Sequence, residues 1–136
     1  MNIAFFLIAK NDTVFLPLNS TMRQALERME YHRYTAVPVI DEAGRYAGTI
    51  TEGDLLWKMK NTPSLTFLDT SQVMLKDISQ QRTNHPVRID AEIEDLLSLA
   101  IAQNFVPVVD DQDIFIGIIR RREIIEYFAQ QQGYTL

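Results

Sequence analysis

The chain has 136 residues, 46% of them hydrophobic and 23% charged, with no cysteine and a formal net charge of −5. The length fits one compact domain or two small halves, and the apolar content excludes a disordered chain. The lack of cysteine excludes a disulfide framework, a thiol nucleophile and a thiolate metal site; the negative balance argues against nucleic acid polymers and anionic membranes as partners, while leaving small anions open.

Residues 3–9 form the longest apolar run, far short of the about 20 residues that cross a bilayer. No positive charge precedes the run and no small-residue cleavage pattern follows it, so it is not read as a signal peptide, and the expected location is cytoplasmic. Residues 14–18 alternate around Pro17 and read as a short edge-like strand. Met22, Ala25, Leu26 and Met29 follow at i, i+3, i+4, i+7, one buried helix face, with Asn19 or Ser20 placed to cap it. Residues 36–40 form an apolar strand closed by the turn Asp41-Glu42-Ala43-Gly44. Residues 46–51 give the next strand, and a second amphipathic helix runs from about 52 to 60.

Residues 62–85 then read as a linker: a break at Thr62-Pro63-Ser64, a short helix over 71–78 and a loop over 80–86. Beyond it the same order returns. Val37-Pro38-Val39-Ile40-Asp41 reappears 69 positions later as Val106-Pro107-Val108-Val109-Asp110, and Gly48-Thr49-Ile50 as Gly117-Ile118-Ile119. Leu55, Leu56 and Met59 map to Ile124, Ile125 and Phe128. Upstream the displacement is 71, carrying Met22, Ala25, Leu26 and Met29 onto Ile93, Leu96, Leu97 and Ala100, with Asp90 as the equivalent cap. The chain is therefore α+β, two tandem β-α-β-β-α repeats over 1–61 and 86–136. A repeat of about 60 residues is marginal alone, and the simplest arrangement packs the two about a pseudo-twofold axis.

These residues resemble a tandem CBS-domain pair, or Bateman module, whose pattern runs from an apolar-Pro-Val-Val-Asp strand to Gly-apolar-x-apolar-Ser/Thr-x-x-Asp at a helix start. Here it stands as Val37-Pro38-Val39-Ile40-Asp41 and Gly48-Thr49-Ile50-Thr51-Glu52-Gly53-Asp54. The run Arg121-Arg122-Glu123-Ile124 is similar to small stand-alone pairs of Gram-positive bacteria. The resemblance implies that clefts between the repeats bind adenosine-containing ligands: AMP, ADP, ATP or related dinucleotides. It implies ribose or phosphate contacts from Thr51 and Asp54, with Thr35, Ala36 and Val37 ahead of Pro38 lining the path. Asn104, Phe105 and Val106 ahead of Pro107 are the second-copy equivalents. Arg120 replaces the expected Ser/Thr there and Glu123 the Asp, so one intact and one altered or empty site is expected. The resemblance further implies a homodimer formed through the helices near Trp57 and Phe128, and an unidentified protein partner.

Each candidate has a second reading. Thr51-x-x-Asp54 has the spacing of a capping box, worth roughly 0.5–2 kcal/mol without any ligand. Capping and ligand contact are compatible, because a capped helix start still presents backbone N–H groups. Arg120, Arg121 and Arg122 open the last helix, where cations oppose the dipole. They either form local pairs, Arg120 with Glu123 and Arg122 with Glu126, or turn a guanidinium fork to a phosphate. Arg88 is a weaker candidate on the solvent side. Asp110, Asp111 and Asp113 lack the Gly and terminal Glu of a calcium loop and read as a hairpin turn. His32 suits a helix C-terminus, and His85 falls in the linker. With no nucleophile, metal cluster or base pair evident, the reading is a non-enzymatic regulatory module with an adenine nucleotide as ligand and no required cofactor. The alternatives are a cyclic di-AMP sensor and a ligand-free structural or dimerisation module.

Overall fold

The computed structural model describes residues 1–80 and 84–134; part of the 80–86 loop expected from the sequence lies outside them. In chain order the regular elements are β1 (Ile8–Ala9), β2 (Leu16–Pro17), α1 (Met22–His32), β3 (Ala36–Ile40), β4 (Tyr46–Thr51), α2 (Glu52–Lys60), β5 (Val87–Arg88), α3 (Leu97–Ala102), β6 (Phe105–Val109), β7 (Phe115–Arg120) and α4 (Arg121–Gln131). The chain folds as two compact units, Val14–Thr83 and a second formed by Met1–Thr13 with Asn84–Leu136.

In the first-repeat unit the strands run β2-β3-β4, with β2 parallel and β4 antiparallel to the central β3. Pro38 sits in that central strand, where a missing N–H would normally break a ladder. β2 pairs only with Val39 and Ile40, so its ladder begins after Pro38. The second unit repeats this with β5 on Val108 and Val109, just beyond Pro107. The cores correspond residue for residue. Met22, Ala25, Met29, Val37, Val39, Ile50 and Leu55 cluster in one unit, and Ile93, Leu96, Ala100, Val106, Val108, Ile119 and Ile124 in the other.

The units differ from the expected 1–61 and 86–136 in one respect. Residues 1–13 pack on the second repeat, and the linker around Val73, Leu75 and Ile78 packs on the first. Ile3 is fully buried in the second core, its N–H donating to the Ala91 carbonyl at 3.1 Å. Leu75 is buried in the first core, and its N–H donates to the Ser20 carbonyl at 2.9 Å. The reciprocal bonds match as well, Ile93 N to Met1 O at 2.9 Å and Met22 N to Val73 O at 2.7 Å. Each repeat is thus completed by the segment that precedes the other. β1 adds to this by pairing antiparallel with β7, Ile8 opposite Ile118 and Ala9 opposite Gly117.

Smaller differences have local causes. α1 is capped by Thr21 and not by Asn19 or Ser20: Thr21 Oγ1 accepts from Gln24 N at 3.1 Å, and Gln24 Oε1 accepts from Thr21 N at 2.9 Å. Thr21-x-x-Gln24 is a capping box one residue further on, while the carbonyl of Ser20 is engaged by Leu75. Asp90 caps nothing; it lies in a turn closed by Ala91 N on Arg88 O, and the equivalent helix begins as a 3-10 turn, Ile93–Leu96, before α3. The helix expected over 71–78 is two 3-10 turns, Leu68–Gln72 and Leu75–Asp77, split by the extended Val73 whose carbonyl serves Met22.

Candidate functional site

In the first repeat the site residues converge on the junction between β4 and α2. Register places Ala36 opposite Thr51, Val37 opposite Ile50 and Pro38 opposite Thr49. The Glu52 N–H donates to the Thr35 carbonyl at 3.0 Å, which fixes the strand end against the helix start. Thr51 and Asp54 form a reciprocal box: Asp54 N donates to Thr51 Oγ1 at 3.1 Å and Thr51 N to Asp54 Oδ2 at 2.9 Å. Asp54 is only 2% exposed. The capping reading is therefore realised, and it holds a buried carboxylate at the site. Thr35 is exposed and Ala36 half-buried, whereas the Val37 and Pro38 side chains are buried. Alternation along β3 turns the Val37 side chain into the core, and the residue is 1% exposed.

The second repeat closes its junction with the equivalent backbone bond, Arg121 N to Asn104 O at 3.0 Å, and has Phe105 opposite Arg120. Its chemistry differs. Arg120 occupies the cap position without a side-chain cap bond. It instead pairs with Glu123, Nε donating to Oε1 at 3.0 Å with a further contact from Nη2. Arg122 Nε donates to Glu126 Oε1 at 2.7 Å, and Arg121 Nε to the Gln103 carbonyl at 2.8 Å. Both local ion pairs read from the sequence are present. Val106 is fully buried in the core, as Val37 is, and Asn104 is exposed.

A second difference lies in the strand ahead of Pro107. The buried Gln103 stands where the first repeat has Tyr34, and its Nε2 donates to the Phe105 carbonyl at 3.2 Å. Asn84 Nδ2 donates to that carbonyl at 3.0 Å. The Phe105 carbonyl therefore has two side-chain donors. Sequence spacing could not show this, because Asn84 is remote in the chain.

Two hollows flank these junctions, one in each unit. The first, about 550 Å3, lies along α1 and α2 and is lined by Leu26, Met29, Tyr34, Glu52, Gly53 and Leu56 among others. The second, about 730 Å3, is lined by Asn104, Arg120, Arg121, Arg122, Ile125 and Glu126. Glu52, Gly53 and Leu56 correspond to Arg121, Arg122 and Ile125 by the 69-residue displacement. Of the sequence candidates, Asn104, Arg120 and Arg121 line the second hollow, whereas Thr51, Asp54 and residues 35–38 lie beside the first without lining it. The spacing of the repeats was a signal for Glu52, Gly53, Leu56 and Ile125, which motif matching passed over as site residues. Arg88 points elsewhere, to the Asp111 carbonyl at 3.1 Å and to Asp113 at 3.3 Å. Among the described residues no group of three or more acidic or histidine side chains is placed to hold a metal, and no helix is long and apolar enough to cross a membrane.

The duplicated junction defines a tandem-repeat module, and the CBS domain family matches residues 8–61 and 71–130. The chain belongs to the CBS domain family, as a tandem pair. Among curated relatives, cyclic di-AMP receptor B of Bacillus subtilis is 25% identical over 126 residues, 89% of this chain and 82% of that protein. An inosine-5'-monophosphate dehydrogenase of Methanocaldococcus jannaschii is 28% identical over 117 residues, 85% of this chain, which spans only 21% of that enzyme's length. The fold superposes on a crystal structure of CbpB in complex with c-di-AMP with a TM-score of 0.83, at 21% identity, over 98% of this chain and 87% of that one. It superposes on CBSX2 in complex with AMP with a TM-score of 0.73, at 23% identity, over 96% and 98% of the chains.

Proposed function

We propose that this chain is a non-enzymatic regulatory module that binds an adenine nucleotide and signals its occupancy to a protein partner. The carrying observation is the first-repeat junction, where the buried Asp54 carboxylate and Thr51 stand beside the exposed Thr35 and half-buried Ala36. A carboxylate can accept both hydroxyls of a ribose, and the helix start beside it favours a phosphate. Thr35, Ala36, Val37, Pro38, Thr51 and Asp54 form the nucleotide site of the first repeat. Asn104, Val106, Arg120, Arg121 and Glu123 form an altered site in the second, with Arg121 the group for a phosphate. A bound nucleotide acts by linkage: it favours one packing of the module, and a partner that prefers that packing is gained or lost. The module works in the cytoplasm as a homodimer joined through its helices.

Cyclic di-AMP is the second reading. It is favoured by the likeness to cyclic di-AMP receptor B over most of both chains. A thermal-shift panel of AMP, ADP, ATP and cyclic di-AMP tests both readings. A ligand at 100 times its Kd should stabilise the fold by about 2.7 kcal/mol. A shift with one of the four, lost in Asp54→Asn as measured by calorimetric titration, supports the site and names the ligand. No shift at millimolar ligand leaves a structural module and refutes nucleotide binding.

A further inference from the structure

Three arginines border the hollow of the second repeat, and they are not equivalent. Arg120 and Arg122 are exposed and each has a carboxylate partner, Glu123 and Glu126. Arg121 is half-buried, and among the described residues its one side-chain hydrogen bond runs from Nε to the Gln103 carbonyl. A neutral acceptor leaves the guanidinium charge uncompensated. It also fixes one edge of the planar group, so that both Nη remain available as a fork.

What holds that carbonyl is the rest of Gln103. The residue is 5% exposed, and its N–H donates to the Leu99 carbonyl at 2.8 Å, where α3 ends. Its Oε1 accepts from the His85 N–H at 2.8 Å, and its Nε2 donates to the His85 carbonyl at 3.3 Å. The side chain thus grips both backbone groups of His85, as a strand partner would. Asn84 adds to the grip through its bond to the Phe105 carbonyl, which Gln103 Nε2 also reaches. The chain passes from one unit to the other between residues 83 and 84, immediately before this grip. Neither half of the arrangement has a chemical counterpart in the first repeat, where Tyr34 and Glu52 stand at the equivalent positions.

We propose that Gln103 is a positioning residue that latches phosphate binding at Arg121 to the point where the chain crosses between units. This rests on the reading that Arg121 meets a phosphate of the nucleotide, and adds how its occupancy leaves the site. With the His85 grip closed, the Gln103 carbonyl is fixed and Arg121 presents an oriented fork. With the grip open, the guanidinium loses that reference. A phosphate therefore binds the gripped form more tightly, and by linkage its binding strengthens the grip. The signal is a change in the order of residues 84 and 85.

The test uses the full chain, nitrogen-labelled for NMR, with solvent exchange of the His85 N–H and of the Arg121 Nε–H as reporters. AMP, ADP, ATP and cyclic di-AMP are each titrated first. Binding by none of them overturns the nucleotide reading and the latch with it. Saturation with the one that binds should slow both reporters about tenfold. Slowing at Arg121 with no change at His85 overturns the latch and leaves the phosphate contact standing. No change at either overturns the role of Arg121 as well, and leaves binding to the first repeat. A double-mutant cycle reads the coupling independently of exchange. Gln103→Met, similar in length but without the amide, should weaken binding about tenfold, and should add little where Arg121→Gln has already removed the fork. Equal losses in both backgrounds mark a merely structural role and overturn the proposal.

Discussion

Ile3 and Leu75 fill the same position in opposite repeats, each delivered by the segment that precedes the repeat it does not complete. Both are buried to 1% exposure or less, and each hangs from an equivalent backbone bond, to Ala91 and to Ser20. Truncating either leaves a cavity in one core only. Ile3→Ala and Leu75→Ala should each cost about 2–5 kcal/mol. Native-state hydrogen exchange should place the loss in residues 84–134 for Ile3→Ala and in residues 14–80 for Leu75→Ala. Loss confined to the contiguous repeat in both variants would contradict the exchange of segments.

The two helix starts are held by different forces, and stability measurements should tell them apart. Thr51→Ala removes a box whose second member is buried, and should cost about 1–2 kcal/mol. Arg120→Ala breaks an exposed ion pair with Glu123, and should change stability by about 0–1 kcal/mol. Chemical denaturation of the two variants checks this order.

Gly48 and Gly117, equivalent in the two repeats, both have backbone angles that favour glycine, φ +145° and +155°. A Cβ at Gly48 would meet the side-chain oxygen of Gln80 at 2.0 Å, whereas at Gly117 it would meet the Ile8 backbone carbonyl at 2.2 Å and Leu7 Cδ1 at 2.8 Å. A side chain can swing aside and a paired strand cannot. Gly117→Ala should therefore lower the melting temperature more than Gly48→Ala, and Gln80→Ala should recover part of the loss only in the Gly48→Ala background.

Glu94 accepts a hydrogen bond from the Tyr127 hydroxyl at 2.7 Å and contacts the Met1 ammonium at 3.0 Å. The hydroxyl first, then the ammonium, hold its carboxyl down to about 2. Because the folded value is depressed, its contribution to stability is complete above about pH 4.5 and is lost as the pH falls towards 2. Tyr127→Phe should move the Glu94 titration upward in a carboxyl-carbon NMR experiment. An unmoved titration would show that the tyrosine is not its cause.

Much of this was legible in the residue pattern. The repeated Val-Pro-Val run marked two apolar strands without showing that each is central in its sheet, and the spacing from Met22 to Met29 and from Leu55 to Met59 marked buried helix faces. The Thr51–Asp54 box followed from spacing alone. The partners of residues 1–13 did not, because an apolar run such as Ile3 to Ala9 says that it will be buried without saying against what. The two donors on the Phe105 carbonyl were hidden for a related reason: Asn84 reaches it across 21 positions of chain.

The traded lead segments also bear on how such a chain can be divided. A polypeptide holding one copy alone would present its own lead segment with nowhere to seat it, and an empty slot where another belongs. Two such half-length chains would close by exchange, each completing its twin. The full chain keeps both halves of that transaction on one thread. Cutting it between residues 62 and 72 should therefore yield fragments that reassociate, since each retains the piece the other lacks.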